Sequence, residues 1–424
     1  MRILIISQIY PPEMGAAANR MYPIVRQLVA AGHEVRVATG MPNYPAGVVF
    51  PQYQRKRTAR EERDGALVLR TAYYTAPRNR SQWSQLRSYL SFIPAVLHSG
   101  LRAGRADLIL VTSPPLFPAA AALALARLWR AKLVFDARDL WPDELITYGG
   151  ASETSLPVRL IRTLERAVYR RADCVCGTTP SIVETVIERG VPAERAFLLP
   201  NGADLETFSP QPRRNPVAEE YPFGDRFVVV YSGLLGIKHG LEAFLEAARK
   251  LRHEKEILFF ILGNGARKEA LEEEVRQSGL DNVLFGGERS VADVPYLLAR
   301  ADLCFAAVRP EPYPKKVVSV KVFEYLACER AVVGALSGES ARILQESRGG
   351  LVVPPGDAEG IAEAILTLYR DPEKRREMGR LGRQYVEEHY SRSHWATRLE
   401  AKLRSLCGPP QPPQAQSDSL PSEA

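Results

Sequence analysis

The sequence predicts an α/β protein of two doubly wound Rossmann-like domains, each a parallel sheet wrapped by helices, facing one another across a cleft. Three observations predict it. Short, nearly continuous apolar runs alternate with longer amphipathic stretches, the pattern of buried parallel strands and their crossover helices. That alternation occurs twice, once on each side of a Pro-rich polar stretch at 208–224. The 424 residues also suffice for two cores, at about 100–200 residues per domain. The expected domains are residues 1–207 and 208–390. Residues 408–424, rich in Pro, Gln and Ser, read as a disordered tail.

Composition narrows the function classes. The chain is 46% hydrophobic and 25% charged, with a formal net charge of +7. This basic excess suits anionic ligands or an anionic membrane surface. No helix-turn-helix, zinc or RNA-binding signature is present, so nucleic acid is not an expected partner. The five cysteines are scattered and lie mostly in apolar runs, which reads as reduced core residues of a cytosolic protein. No apolar run reaches the ~18 residues of a membrane span. Residues 1–6 read as a strand rather than a signal peptide.

Taken in order, residues 1–9 are a central parallel strand and residues 17–31 a helix with Met21, Ile24, Val25, Leu28 and Val29 on its core face. Gly15 and Ala16 stand at the turn between them, where small residues let a helix start approach an anion. Strand 35–39 closes a βαβ unit that lacks G-x-G-x-x-G. A charged stretch at 54–63 precedes a strand at 67–71. Residues 78–105 combine Arg78, Arg80 and Arg87 with Trp83 and Phe92 in a basic, aromatic amphipathic segment suited to an anionic membrane surface.

Strand 107–112 leads into Ser113-Pro114-Pro115, helix 119–129 follows, and strand 133–136 delivers Asp136-Ala137-Arg138-Asp139-Leu140-Trp141-Pro142 at its carboxyl end. Two carboxylates flanking an arginine on such a loop read as a site. Arg138 is always protonated, so it suits a phosphate or the orientation of Asp139, not base catalysis. Helix 157–171 and the turn Asn201-Gly202-Ala203-Asp204 complete the first half.

The second half repeats the design. Strand 227–231 runs into Ser232-Gly233-Leu234-Leu235-Gly236-Ile237-Lys238 and a helix to 251; strand 257–262 runs into Gly263-Asn264-Gly265. A glycine loop, a helix start and a lysine make a phosphate cradle. Residues 318–328 read as a helix with Ser319 as its cap and Lys321 and Glu324 on one face, followed by a strand at 332–335. Residues 385–406 read as terminal helices.

The segments S-V-K-V-F-E-Y-L-A-C at 319–328, T-S-P-P at 112–115 and D-x-R-D-L-W-P at 136–142 resemble the family-4 retaining glycosyltransferases of GT-B fold. More narrowly they resemble the bacterial O-antigen, capsule and exopolysaccharide subgroup, similar to L-fucosamine transferases. The resemblance spans residues 1–406. It implies that Glu324 holds the ribose hydroxyls of a nucleotide sugar and that Lys238, with Gly233, Gly263, Ser319 and Lys321, grips the donor. Gly15 and Ala16 are implied near the donor diphosphate, and the helix at 391–407 packs back on the first domain.

The chain departs from the family's pattern at four places. Lys316 replaces the glutamate that contacts the sugar, Leu234 replaces an arginine on the diphosphate, and Arg138 stands where many members have histidine. Glu329 and Ala331 replace the usual Gly and Pro. Arg309, Lys315, Lys316 and Lys321 are the candidates to supply the missing positive charge.

The implied reaction is sugar transfer from a nucleotide-sugar donor, UDP-linked with GDP as the alternative, with retention of configuration. The acceptor is implied to be a polyprenyl-diphosphate-linked sugar, met at the inner face of the cell membrane during polysaccharide biosynthesis. Asp139, Arg138 and Glu324 are the catalytic candidates. No Asp-x-Asp occurs, so no metal and no cofactor are expected. Two other readings stay open: a sugar-nucleotide epimerase of the same fold, and a non-catalytic glycan- or lipid-binding subunit.

Overall fold

The computed structural model describes residues 1–13, 15–44, 46–75, 82–143, 146, 152–310 and 316–408. Two sheets organise them. The first has the order β3-β4-β2-β1-β5-β6-β7-β8 and the second β11-β10-β9-β12-β13-β14. Every pairing is parallel except β3 with β4.

In the first domain, β1 (Arg2–Ile6), β2 (Glu34–Gly40), β5 (Leu108–Ser113) and β6 (Lys132–Ala137) are the apolar runs expected as strands, and β7 (Cys174–Gly177) continues the sheet. β3 (Thr58–Arg63) pairs antiparallel with β4 (Ala66–Thr71). This edge strand, T-A-R-E-E-R, lies in the stretch that reads merely as charged. Its charges suit an edge, which must not invite another strand. Glu61 also receives Arg70, a fully buried arginine of β4, at 3.1 Å.

Helices cover both faces. On one side lie α1 (Ala16–Ala30) and the C-terminal helix α14 (Arg392–Cys407), sharing a core of Met21, Val25, Leu28, Trp395, Leu399 and Leu403 with β1 and β5. On the other lie α2 (Gln82–Ala103), α3 (Pro118–Trp129), α4 (Leu156–Arg171) and α5 (Pro180–Glu188). β8 (Ala196–Leu198) ends the sheet, and a short helix α6 (Pro216–Glu219) lies in the link to the second domain.

The second domain centres on β9 (Phe227–Ser232), buried at every residue, as a parallel strand covered on both faces must be. β10 (Ile257–Leu262) and β11 (Val283–Gly287) lie to one side; β12 (Leu303–Ala307), β13 (Val332–Ala335) and β14 (Gly350–Val353) lie to the other. The helices are α7 (Leu241–Lys250), α8 (Lys268–Gln277), α9 (Val294–Arg300), α10 (Val320–Ala327), α11 (Gly338–Glu346), α12 (Ala358–Arg370) and α13 (Pro372–His389).

Strand order reverses about β1 in the first sheet and about β9 in the second. At such switch points the two adjacent loops leave in opposite directions and open a crevice at the carboxyl ends of the strands. The loops singled out by sequence follow β1, β5, β6, β9, β10 and β12, so the topology delivers them to those crevices.

Two chain crossings connect the domains, and they bond to each other. Ala203 N donates to Tyr390 O at 2.9 Å and Arg392 N donates to Ala203 O at 3.0 Å. Gly202 makes this approach possible, because a Cβ there would lie 2.2 Å from Tyr390 O.

Candidate functional site

In the second domain the site is built on touching glycine loops. A Cβ on Gly263 would lie 1.9 Å from Gly233 O, so the loops after β9 and β10 meet backbone to backbone. A Cβ on Gly233 would stand 2.3 Å from Lys321 Cε; the bare glycine is what lets the lysine stem lie across the loop. Lys321 is in the first turn of α10, and its ammonium sits 5.2 Å from the centre of the Tyr231 ring. Burial pulls its pKa down to about 8, against the raising influence of Glu324.

A turn of 3-10 helix, Ile237–His239, carries Lys238 and His239, and sets the His239 ring 6.5 Å from the Tyr231 ring that Lys321 also approaches. Burial first, then the charges of Lys321 and Lys238, drives the His239 pKa down to about 2, so the imidazole is neutral. The loop after β12 closes on this turn through Arg309 N donating to Lys238 O at 2.9 Å. Two lysines and a neutral imidazole at a glycine-loop crevice suit an anionic ligand such as a diphosphate. Sequence reasoning missed His239, although it directly follows Lys238.

Glu324 lies one turn along α10 from Lys321. Burial raises its pKa, opposed by the cations Arg392 and Lys321. Arg392 Nη2 is 3.8 Å from Glu324 Oε1. Ser319 occupies the N-cap position of α10, but its hydroxyl makes no capping bond; its amide instead donates to Ser340 Oγ at 3.0 Å. The expected hydroxyl cap is therefore replaced by a tie to α11.

Lys316, expected on the donor, turns to the first domain. Its ammonium donates to Thr185 Oγ1 at 2.6 Å, and its carbonyl accepts from Thr179 Oγ1 at 2.6 Å. Beside it the Glu339 carboxylate meets the N-terminal turn of α5, accepting from the Ser181 amide at 3.3 Å and from the Ser181 hydroxyl. A carboxylate is stabilised there by the helix's unpaired amides. Lys315 lies outside the described residues.

In the first domain the D-x-R-D loop divides into two roles. Asp136 is fully buried and pairs with buried Arg20 of α1 at 2.7 Å, while Thr112 Oγ1 donates to it at 2.9 Å. It is a framework residue. Arg138 and Asp139 are half-buried past the strand's end. Arg138 Nε donates to Thr112 Oγ1 at 3.1 Å and its Nη2 to Pro114 O at 3.1 Å, so T-S-P-P aims the guanidinium. Trp141 pins the loop, packing edge-on against Tyr89 and Phe117 in the core. Thr178 Oγ1 donates to Arg138 O at 3.2 Å, and its neighbour Thr179 holds Lys316. Consecutive threonines thus join this loop to the second domain.

Gly15 caps α1 by backbone, and a Cβ on it would lie 2.8 Å from the Tyr44 ring; Ala16 is the first residue of that helix. Glu13, unremarked in the sequence reading, organises this corner. Its buried carboxylate accepts from the amides of Tyr10, Asn43 and Tyr44 at 3.2, 2.9 and 2.9 Å.

Of the membrane candidates, Trp83 is 77% exposed near the start of α2. Arg87 stacks over the Tyr74 ring at 4.3 Å. Phe92 is fully buried against Tyr73 and faces the sheet, so its expected outward role is corrected: on a helix one side must supply the core. Arg78 and Arg80 lie outside the described residues. No described helix is long and apolar enough to cross a membrane.

The two halves match two family models: "Glycosyl transferase 4-like domain" over residues 15–202 and "Glycosyl transferases group 1" over residues 226–371. The chain is 31% identical over 382 residues to the putative colanic acid biosynthesis glycosyl transferase WcaI of Escherichia coli K12, covering 86% of this chain and 92% of that protein. An O-antigen chain mannosyltransferase C of E. coli is 24% identical over 58% of this chain and 66% of its own length. Among solved structures, sucrose-phosphate synthase from Thermosynechococcus elongatus superposes with a TM-score of 0.75 at 21% identity, covering 96% of this chain and 98% of that one. Anabaena HepE in complex with UDP-glucose gives 0.69 at 18% identity, covering 96% and 100%. These likenesses identify the fold as GT-B.

Proposed function

The chain belongs to the glycosyl transferases, and from that membership we propose that it moves a sugar from a UDP-linked donor to a polyprenyl-diphosphate-linked sugar, with retention of configuration, in cell-surface polysaccharide synthesis. The second domain holds the donor and the first presents the acceptor. The observation that carries this reading is the placement of Lys321 across the touching Gly233–Gly263 loops at the β9 switch point, close enough to neutral His239 to act on it, with Lys238 the neighbour of His239 and Glu324 one helical turn along from Lys321.

In this reading the diphosphate lies over the glycine loops, where amides and two lysines stabilise the charge that develops as the glycosidic bond breaks. His239, being neutral, donates or accepts a hydrogen bond without adding charge. Glu324 accepts from the ribose hydroxyls. Arg138 and Asp139 face the acceptor side: the guanidinium suits an acceptor phosphate, and Asp139 orients the attacking hydroxyl. No protein nucleophile is assigned. Contacts through Lys316 and Glu339 bring the domains together and exclude water that would hydrolyse the donor.

The acceptor half of the proposal rests on α2, α3 and α4. Their only acidic residue is Glu165, which is buried and paired with Arg189. Trp83, Leu128 and Leu156 are 77%, 63% and 67% exposed on these helices, and arginines 102, 127, 130, 159 and 166 at or beside them are exposed too. Exposed apolar tips among cations suit an anionic lipid surface.

The test is a thermal-shift screen of the protein against UDP, GDP, ADP and their sugars, followed by transfer to a polyprenyl-diphosphate sugar and determination of the product's anomeric configuration. A ligand of the native state raises the melting temperature. A rise with UDP and a retained product support the proposal; no shift with any nucleotide overturns its donor half.

A further inference from the structure

Both connections between the domains converge on one side chain. Arg392 is the first residue of α14, at the second crossing, and its side chain is 11% exposed. Its Nε donates to Asn201 O on the first crossing at 3.0 Å, and its amide donates to Ala203 O. Its Nη2 reaches Glu324 of the second domain. Asn201 is itself fixed from the first domain, because its Oδ1 accepts from Arg20 Nη1 at 3.1 Å. Arg20 also donates to Leu199 O at 2.7 Å and Pro200 O at 3.0 Å and closes on Asp136. A continuous polar chain therefore runs from β6 of the first domain through Arg20, Asn201 and Arg392 to Glu324.

We propose that Arg392 is a positioning residue for Glu324, fixing the orientation and charge of the donor-side carboxylate from the pivot between the two domains. This rests on the reading that Glu324 meets the donor ribose. A carboxylate that accepts from two hydroxyls must be ionised and aimed, and burial works against ionisation. Arg392 stands first among the groups that oppose it, ahead of Lys321. Asp204 is the other carboxylate acting on Arg392, and Arg20 is the like charge that opposes it. Because Arg392 hangs from the second crossing, whose backbone is bonded to the first at Ala203, a change of interdomain angle is expected to move it relative to Glu324. Donor grip and domain closure are thereby linked.

The experiment is a double-mutant cycle on the full chain, with binding of UDP followed by calorimetry (GDP or ADP where only that nucleotide raises the melting temperature). Arg392→Met is expected to weaken UDP binding about tenfold. In the Glu324→Gln background the same substitution is expected to cost nothing further, because the charge it supports is gone. The pH profile gives an independent readout. Without Arg392 the Glu324 carboxyl keeps its proton to higher pH, so UDP binding by Arg392→Met is expected to weaken on acidification below pH 7, where the parent chain stays level.

A residue that merely holds the hinge would lower the melting temperature and leave that profile unmoved. Equal losses from Arg392→Met in both backgrounds, or an unchanged profile, overturn the inference. If Arg392→Met fails to fold, Arg392→Lys takes its place. It keeps the charge but cannot serve Asn201 O and Glu324 together, and its loss of about threefold must likewise vanish with Glu324→Gln. Should Glu324→Gln bind UDP as the parent does, or the parent bind no nucleoside diphosphate, the donor reading fails and this inference with it. Should Glu324→Gln lose affinity while Arg392→Met does not, only the positioning role fails.

Discussion

Arg20 and Asp136 form a buried ion pair, Nη2 to Oδ1 at 2.7 Å, that fastens α1 to the end of β6 and to the start of the link between domains. The guanidinium also satisfies the carbonyls of Leu199 and Pro200. Every polar contact is fixed in place, so the pair specifies the corner from which Arg138 and Asp139 project. Removing one partner strands the other charge in a buried position. Asp136→Ala is therefore expected to cost about 3–5 kcal/mol. Urea unfolding measures it; a loss below about 1 kcal/mol would assign the pair to the weak class of exposed bridges.

On the proposed donor reading, Lys321 is expected to set a pH window for UDP binding. Its pKa of about 8 means that part of the population is already neutral in mildly alkaline solution. UDP affinity is expected to be level near pH 7 and to fall as pH rises through about 8, losing up to one charge, while Lys321→Met is weaker by about tenfold and flat across the same range. The stability sign is opposite. The lysine's pKa is lowered on folding, so between about 8 and its unfolded value of 10.5 the unfolded chain binds more protons. Its contribution to stability is most unfavourable below pH 8 and is relieved as pH rises across that window. Calorimetry at several pH values reads the first effect, and urea midpoints of parent and Lys321→Met read the second.

How much of this was legible depends on the distance over which each feature is decided. Strands such as β1 and β9 show in the sequence because a buried parallel strand must be apolar at consecutive positions. The glycine loops, Lys238, Lys321 and Glu324 show because their chemistry is local to a turn or to one helical face. Arg20 was hidden: its partner is 116 residues away, and nothing in A-A-A-N-R marks it as buried. Arg392 was hidden likewise, its bond to Asn201 spanning 191 residues. The β3 edge escaped because an edge strand has only one side to bury. Phe92 reads as an outward residue because an arginine-rich helix with aromatics at several positions does not declare which aromatic faces the sheet. Lys316 reads as a donor residue from its position in a motif, but its reach to Thr185 depends on how the domains meet.

Gly233 and Gly263 separate function from stability. Both hold positive φ, 143° and 140°, so alanine strains either backbone. Their neighbours differ. An added methyl at Gly233 meets the flexible end of Lys321, which can shift, whereas at Gly263 it meets the backbone of Gly233. Gly233→Ala is expected to keep most stability and lose about tenfold in UDP affinity by displacing the lysine. Gly263→Ala is expected to lower stability by about 1–3 kcal/mol as the loops are pushed apart. Melting curves and UDP titrations of the two variants give the comparison, and equal effects on both readouts would show that Lys321 is not held by the bare face of Gly233.

The face made by α2, α3 and α4 gives a prediction that involves neither the donor nor the cleft. Trp83 and Leu156 project from it into solvent, and burying each in a lipid interface gains free energy in proportion to apolar area, about 25 cal/mol per Å². Substituting Trp83→Ser with Leu156→Ser removes apolar contact and leaves every arginine. Co-sedimentation with vesicles containing phosphatidylglycerol is expected to fall about tenfold or more, while the melting temperature and UDP affinity stay as in the parent, because neither side chain is buried in the core. Binding of the parent should weaken as salt is raised, since the arginines attract the anionic surface through screened charge. Parent protein that ignores these vesicles at low salt, or a double variant that binds them equally well, would remove the membrane from the acceptor side of the reaction.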